Sequence, residues 1–168
     1  MLRILNKISR IGVITEPVNR DPDLEALGIE VRRLVDEHTR GSFAIRAVDA
    51  GSCNGCELEI HALNNPYYDV ERFGVHFVAS PRHADALLVT GPVSRHMAFA
   101  LKQTYAAMPS PRWVIAAGDC AVNGGEFGCS YATVGEVEKV LPVDITIPGC
   151  PPAPATLLRG ILALLENA

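Results

Sequence analysis

The chain has 168 residues, the size of one ordinary domain. Hydrophobic residues make up 48% and charged residues 20%, a globular composition that excludes a disordered chain and provides a core without disulfide bonds. Because 15 Lys and Arg stand against 19 Asp and Glu, for a net charge of −4, we expect no nucleic-acid partner.

No stretch of the sequence predicts a transmembrane helix, because charged residues, Gly or Pro interrupt every apolar run before it reaches about 18 residues. The first residues, MLRILNKISRIGVITEP, lack the apolar core of a signal peptide and lack a twin-arginine motif. We therefore expect the chain to stay in the cytoplasm. In that reducing compartment, five cysteines indicate metal binding or redox chemistry rather than disulfide bonds.

The N-terminal segment, residues 2–14, is short, basic and amphipathic. Its aliphatic residues recur at helical spacing and its basic residues occupy other positions on the turn: Ile4, Ile8 and Ile11 with Leu5, and Arg3, Lys7 and Arg10. One interpretation is a terminal helix or strand that docks on a partner or on its own domain. The other is a contact with an anionic membrane surface.

A longer helix is predicted within residues 16–40. Its apolar residues recur one, two and three turns apart: Leu24, Leu27, Val31, Leu34 and Val35. Gly41 suits the end of this helix, because glycine commonly follows the last helical residue. We therefore predict an N-terminal amphipathic and helical extension, residues 1–40, ahead of an α/β domain, residues 41–168.

After this extension, short β-branched runs alternate with helical stretches. The predicted strands are Phe43–Val48, Val75–Ala79, Ala86–Thr90, Val114–Ala117 and Ile145–Ile147. The predicted helices are Glu57–Leu63, His96–Ala107, Val134–Val140 and Pro152–Glu166. Such alternation predicts an α/β fold with a doubly wound parallel sheet in a single domain.

Four of the five cysteines follow predicted strands. Cys53 and Cys56 follow the first, Cys120 follows the fourth and Cys150 follows the last. In doubly wound sheets, ligands bind just beyond the carboxyl ends of the strands, where several loops converge. The cysteines therefore occur where a binding site of such a sheet is expected.

The cysteine spacing is C-x2-C followed by two single cysteines in distant Gly-rich and Pro-rich loops. A 4Fe–4S cluster needs four thiolate ligands, and glycine permits close approach of the backbone to its bulky core. The alternative is a structural zinc site, although zinc more often uses two compact C-x2-C pairs. The spacing alone leaves both metal sites open.

Four sequence motifs carry a resemblance to a known family: GSCNGCELE, SPRHADALLVTGPV, GDCAVNGG and IPGCPPAP. In this order they resemble the small, electron-transfer subunit of nickel-iron hydrogenases. The resemblance is strongest to the membrane-bound, energy-converting type of formate hydrogenlyase-like complexes and to the related 20 kDa subunit of complex I. It covers about residues 40 to 166.

The resemblance implies a flavodoxin-like fold and a single 4Fe–4S cluster held by Cys53, Cys56, Cys120 and Cys150. It implies three kinds of partner: a large subunit with the nickel-iron site, a ferredoxin-like iron–sulfur subunit and membrane-arm subunits. It also implies a peripheral location on the cytoplasmic side of the inner membrane. The chain would then be an oxidoreductase subunit that relays electrons without a complete active site of its own.

Two departures within the resemblance bear on the choice of reaction. Complex I subunits typically carry two adjacent cysteines in the first motif, whereas this chain has C-N-G-C. The hydrogenase interpretation is favoured accordingly, with a quinone-reducing, complex I-like enzyme as the alternative. Periplasmic hydrogenase small subunits carry further cysteines for two more clusters, but no cysteine follows Cys150 here.

Five further residues have two interpretations each. Cys129 is expected to be a buried or lone structural thiol rather than a ligand. Glu59 is a proton-relay or potential-tuning group, or a hydrogen-bonded helix acid. His61 carries protons or donates to the cluster, or lies on a polar helix face. Arg82 and His83 abut the cluster or the large subunit, or lie in a solvated loop.

Overall fold

The structure, a computed structural model, describes residues 2–12 and 21–168. Its helices are α1 (Leu2–Ile11), α2 (Pro22–Thr39), α3 (Gly55–Ala62), α4 (Arg95–Ala106), α5 (Asp119–Asn123) and α6 (Pro154–Glu166). Its strands are β1 (Phe43–Asp49), β2 (Val75–Phe77), β3 (Ala86–Thr90), β4 (Val93–Ser94), β5 (Trp113–Ala117), β6 (Thr133–Gly135) and β7 (Ile145–Ile147). The predictions for residues 13–14 and 16–20 lie outside the described residues.

Five strands form one parallel sheet in the order β2-β1-β3-β5-β7. Ile45 of β1 pairs with Ala86 of β3, and Ile115 of β5 pairs with Ile145 of β7. Counting only these strands, the order is 2-1-3-4-5, which is the order of flavodoxin-like folds. The predicted fold is confirmed, and the five predicted strands are present with ends shifted by at most two residues.

Helices cover both faces of the sheet. On one face, the core contains Val31 of α2, Ile60 of α3 and Ile161 of α6. On the other face, Leu101 of α4 and Ala121 of α5 pack in a second cluster of buried residues. The sheet is therefore doubly wound, with a hydrophobic core on each side.

The predicted helix before the sheet is confirmed over its described residues as α2. It begins after Asp21, whose side chain accepts a hydrogen bond from the Asp23 N–H at 3.0 Å. It ends at Thr39, where Arg40 and Gly41 adopt positive φ angles of 56° and 95°. The boundary between an extension and a domain at residue 40 stays a prediction, although α2 shares its core cluster with the sheet.

The predicted helix Val134–Val140 is wrong. The structure has the short strand β6, paired antiparallel with β4, followed by a 3-10 turn over Val137–Lys139. The valines at helical spacing suggested the helix, but Gly135 has a φ of 101°, a conformation that breaks a helix and favours glycine. Val137 is nevertheless fully buried, so the spacing of the valines reflects their burial and not a helical conformation.

The carboxyl ends of β1, β5 and β7 meet at one edge of the sheet, because parallel neighbours all point the same way. The segments that follow these strands carry the cysteines. No helix in the part of the chain that the structure describes is long and apolar enough to span a membrane.

Candidate metal centre

Three loops bring four cysteines to one cavity. We call them the first cysteine loop (residues 50–56, which includes the start of α3), the second cysteine loop (residues 118–125, which includes α5) and the third cysteine loop (residues 148–153). The cavity has a volume of about 120 Å³. The thiols that line it are Cys53, Cys56, Cys120 and Cys150. The structure thus brings the four predicted ligands together, and their ligation of a metal stays a prediction.

The four thiols differ in burial and influence one another electrostatically. Cys56 is buried, Cys120 is half-buried, and Cys53 and Cys150 are exposed. Burial, with the nearby charges of Glu57 and the other three cysteines, raises the pKa of Cys56 to about 12. Burial, followed by the charges of Cys150 and Cys53, also raises the pKa of Cys120. Because neighbouring cysteines raise these pKa values, holding the four cysteines as thiolates at once would need a cation among them.

Polar side chains hold the first cysteine loop in place. Asp49, at the end of β1, accepts hydrogen bonds from the Gly51 and Ser52 N–H groups, both at 2.7 Å. The Ser52 hydroxyl donates to the Glu57 carboxylate at 2.6 Å. The hydroxyl of Thr90, a residue that is 1% exposed, donates to the other oxygen of Glu57. This network connects the loop to β3 and orients it over the cavity.

A reciprocal pair of hydrogen bonds joins the second and third cysteine loops. The Asp119 N–H donates to the Gly149 carbonyl at 2.9 Å, and the Gly149 N–H donates to the Asp119 carboxylate at 2.7 Å. Asp119 and Gly149 each precede a cysteine of the cavity. The pair therefore sets the spacing between Cys120 and Cys150, which are far apart in the sequence.

Two glycines leave room for cysteine sulfurs. A Cβ on Gly118 would lie 2.5 Å from the Sγ of Cys56, and a Cβ on Gly125 would lie 2.7 Å from the Sγ of Cys120. Both distances are well below ordinary van der Waals contact. These glycines therefore leave space beside two thiols that line the cavity, where any other residue would push a thiol aside.

A second cavity, of about 390 Å³, lies beside the first and shares the Glu57 and Thr90 network. His61 lines this second cavity from α3, so the structure places it near the site but not at the thiols. Arg46 also lines it, and the buried Nε of Arg46 has no hydrogen-bond partner among the described residues.

The other residues singled out in the sequence lie outside the cysteine cavity. Cys129 is exposed, so the interpretation as a buried thiol is wrong, and it does not line the cavity, as expected for a thiol outside the ligand set. Glu59 is half-buried on α3 and does not line it either. Arg82 and His83 are exposed in a 3-10 turn, in agreement with the solvated-loop interpretation.

The sequence interpretation missed the acids that organise the loops. Glu57 directly follows Cys56 and Asp119 directly precedes Cys120, so adjacency to a candidate ligand was the available signal. Their hydrogen-bond partners could not be read from the sequence, because Thr90 and Gly149 lie 33 and 30 residues away.

A family model described as NADH ubiquinone oxidoreductase, 20 Kd subunit, matches residues 53–164. This match spans all four cysteines of the cavity and more than half of the chain. The chain belongs to this family. The predicted enzyme class, an oxidoreductase subunit, is confirmed with it.

The relatives of this chain include components of several redox complexes. A probable membrane-bound hydrogenase subunit of Pyrococcus furiosus is 49% identical over 71% of this chain and 72% of that protein. Formate hydrogenlyase subunit 7 of Escherichia coli is 43% identical over 85% of this chain and 62% of that protein. A component of the F(420)H(2) dehydrogenase of Methanosarcina mazei is 45% identical over 67% of this chain and 61% of that protein. The chain thus spans less than two thirds of the last two relatives.

Solved structures show the same fold. A chain of the membrane-bound sulfane sulfur reductase, an archaeal respiratory membrane complex, superposes with a TM-score of 0.68 at 35% identity, over 79% of this chain and 73% of that one. A chain of an NAD+-reducing [NiFe]-hydrogenase superposes with a TM-score of 0.58 over 75% of this chain and 92% of that one. At 19% identity, this second likeness concerns the fold alone.

Proposed function

We propose that this chain is the electron-relay subunit of a multisubunit membrane-bound hydrogenase. It holds one 4Fe–4S cluster on Cys53, Cys56, Cys120 and Cys150, next to the nickel-iron site of a separate large subunit. The convergence of four thiols from three loops on one cavity carries this proposal. Two relatives named as hydrogenase and formate hydrogenlyase subunits support the choice of complex.

The cavity fits an inorganic cluster better than a single zinc ion. Its volume of about 120 Å³ is many times the roughly 10–15 Å³ that one water molecule needs. Four cysteines around zinc close directly on the ion, with Zn–S distances of about 2.3 Å. The thiols surround a space that a larger group would fill.

Each part of the site has a role in holding the cluster. The cluster supplies reversible one-electron transfer when it is bound. The Asp119–Gly149 pair spaces two of the thiols, and the Asp49, Ser52 and Glu57 network orients the other two. A rigid site of this kind keeps the reorganisation that accompanies electron transfer small, and the chain needs no acid, base or nucleophile of its own.

The open side of the cavity supports a protein partner there. Cys53 and Cys150 line the cavity and are exposed. Phe127 and Tyr131, in the segment after the second cysteine loop, are 57% and 95% exposed. Apolar and aromatic surface of this kind is typical of protein interfaces. We assign this side to the large subunit, and expect a ferredoxin-like subunit and membrane-arm subunits elsewhere, with the complex on the cytoplasmic side of the inner membrane.

A quinone-reducing, complex I-like enzyme is the second candidate. The family description and the F(420)H(2) dehydrogenase relative favour it. The C-N-G-C motif, without the adjacent cysteines typical of complex I subunits, favours the hydrogenase. The cysteine motifs of the large subunit in the same complex separate the two, because only a nickel-iron site needs paired C-x-x-C ligands at both ends of that chain.

Metal analysis tests the proposal. The tagged chain is purified anaerobically and separated from its partners, and its iron, acid-labile sulfide and zinc are measured; nickel is measured in the intact complex. We expect about four irons and four sulfides per chain, with an EPR signal on reduction. Stoichiometric zinc without labile sulfide would instead establish the structural zinc site.

Two cysteine variants test the ligand set. Cys120→Ser removes a thiol of the cavity, whereas Cys129→Ser removes an exposed thiol outside it. We expect Cys120→Ser to lose the cluster signal and the assembled complex, and Cys129→Ser to keep both. The opposite pattern would show that the ligand assignment is wrong.

A further inference from the structure

Helix α1 presents apolar side chains that the described part of the chain, residues 2–12 and 21–168, leaves uncovered. None of its ten residues is buried. The exposed fractions of its large aliphatic residues are 83% for Leu2, 65% for Ile4, 56% for Leu5, 60% for Ile8 and 48% for Ile11. A contiguous exposed apolar surface of this kind marks an interaction site.

The charges of α1 are all of one sign. Arg3, Lys7 and Arg10 recur at i, i+4 and i+7 and so share one face, while Ile4, Ile8 and Ile11 share another. The helix contains no Asp or Glu. The rest of the sequence has 12 Lys and Arg against 19 Asp and Glu, a net charge of −7. The positive charge at this end is therefore opposite to that of the remaining chain.

We propose that α1 lies in the plane of a membrane surface and binds anionic lipid headgroups through Arg3, Lys7 and Arg10. Its aliphatic face enters the boundary between headgroups and acyl chains. The inference deepens the peripheral membrane attachment proposed above, and rests on it. A ten-residue helix is too short to cross a bilayer, which takes about 20 residues.

The charge pattern selects lipid as the occupant. An aliphatic face flanked by cations without a single acid matches helices that bind anionic membranes. The acidic remainder of the chain would be repelled from the same surface, so α1 also sets which end approaches it. One such helix binds weakly, and stable attachment needs a second contact, which the membrane-arm subunits would supply.

Vesicle binding by the purified full chain tests this inference. The probes are vesicles of phosphatidylcholine alone and of phosphatidylcholine mixed with phosphatidylglycerol, and bound protein is measured by co-sedimentation at low and high salt. We expect binding only to the mixed vesicles, and a strong decrease with salt because the attraction is screened. The combined variant Arg3→Gln, Lys7→Gln and Arg10→Gln should bind on the order of 100-fold more weakly.

A matched pair of isoleucines tests the apolar face. Ile8 on α1 and Ile29 on α2 are both 60% exposed. We expect Ile8→Asn to weaken vesicle binding about tenfold, because it removes an aliphatic side chain from the lipid boundary. Ile29→Asn should leave binding unchanged. Equal losses in the two variants would show nonspecific stickiness and overturn the inference.

Other results are equally decisive. Equal binding to both kinds of vesicle, or undiminished binding by the charge variant, would overturn the assignment to anionic lipid. Variants that bind vesicles normally but no longer assemble with membrane-arm subunits would show a protein partner instead. Iron content is measured in every variant, so that loss of the cluster, which concerns the proposed function, is distinguished from loss of lipid binding.

Discussion

Replacing Gly118 by alanine tests the geometry of the cysteine cavity directly. Gly118 has a φ of 89° and a ψ of 152°, a region of backbone conformation that is essentially restricted to glycine. An alanine there costs about 1–3 kcal/mol in backbone strain. Its Cβ would also lie 2.5 Å from the Sγ of Cys56, whereas ordinary contact begins at 3.4 Å. The sulfur must therefore retreat by about 0.9 Å, the difference between these distances.

Gly128→Ala is the matched control. Gly128 also has a positive φ, of 52°, but a Cβ added there meets nothing within 4 Å. Its backbone cost is about 1–2 kcal/mol, similar to that of Gly118→Ala. The two variants should therefore lose comparable stability in thermal unfolding. Only Gly118→Ala moves a predicted ligand, so only that variant should lose most of its iron and labile sulfide.

The assay compares iron and sulfide per chain with the folded fraction measured by circular dichroism. A folded Gly118→Ala chain with little iron supports the predicted position of Cys56 at the cluster. A Gly118→Ala chain with a full complement of iron would refute the reasoning. It would show either that the added Cβ does not displace the Sγ of Cys56 or that this sulfur is not a ligand. Equal loss of iron in the Gly128 control would refute it as well, since strain alone would explain the effect.

Two further predictions concern the same cavity. Asp119→Ala removes the acceptor for the Gly149 N–H and should lower iron retention. Asp119→Asn keeps an acceptor and should keep iron, but it removes a negative charge and should raise the reduction potential of the cluster in an EPR-monitored titration. An unchanged potential in Asp119→Asn would contradict this prediction. In the iron-free chain, Cys56 is buried and has a pKa of about 12, so it should react with alkylating agents far more slowly than exposed Cys53. Because folding raises the pKa of Cys56, this thiol stabilises the iron-free chain fully below about pH 9, and the stabilisation is lost as the pH rises from there toward 12. A free energy of unfolding that increases over this range would contradict the raised pKa of Cys56.

The sheet and the position of its site could be predicted from the sequence. Apolar runs such as Ala86–Thr90 are buried along their whole length, as expected for central strands of a parallel sheet. Once the strands are parallel, the loops after them must meet at one edge. Cysteines at the ends of three such strands are therefore expected to be neighbours, and the structure brings them together.

Other features depended on details that the sequence does not display. The valines of residues 134–140 have helical spacing, but the backbone of Gly135 bends the chain into a strand and a turn. The contact between Gly118 and Cys56 and the Asp119–Gly149 pair depend on how β1, β5 and β7 are aligned in the sheet. Alignment of this kind is set by packing across the whole core.

The relatives are named for different reactions, whereas the family match includes all four cysteines of the cavity. A site that only holds and releases electrons does not by itself specify hydrogen or quinone as the substrate. Under the function proposed above, the reaction is then determined by the subunit that covers the open side of the cavity, near exposed Cys53 and Cys150. Exchanging that subunit, with this chain unchanged, is therefore expected to change the substrate and preserve the EPR signal of the cluster.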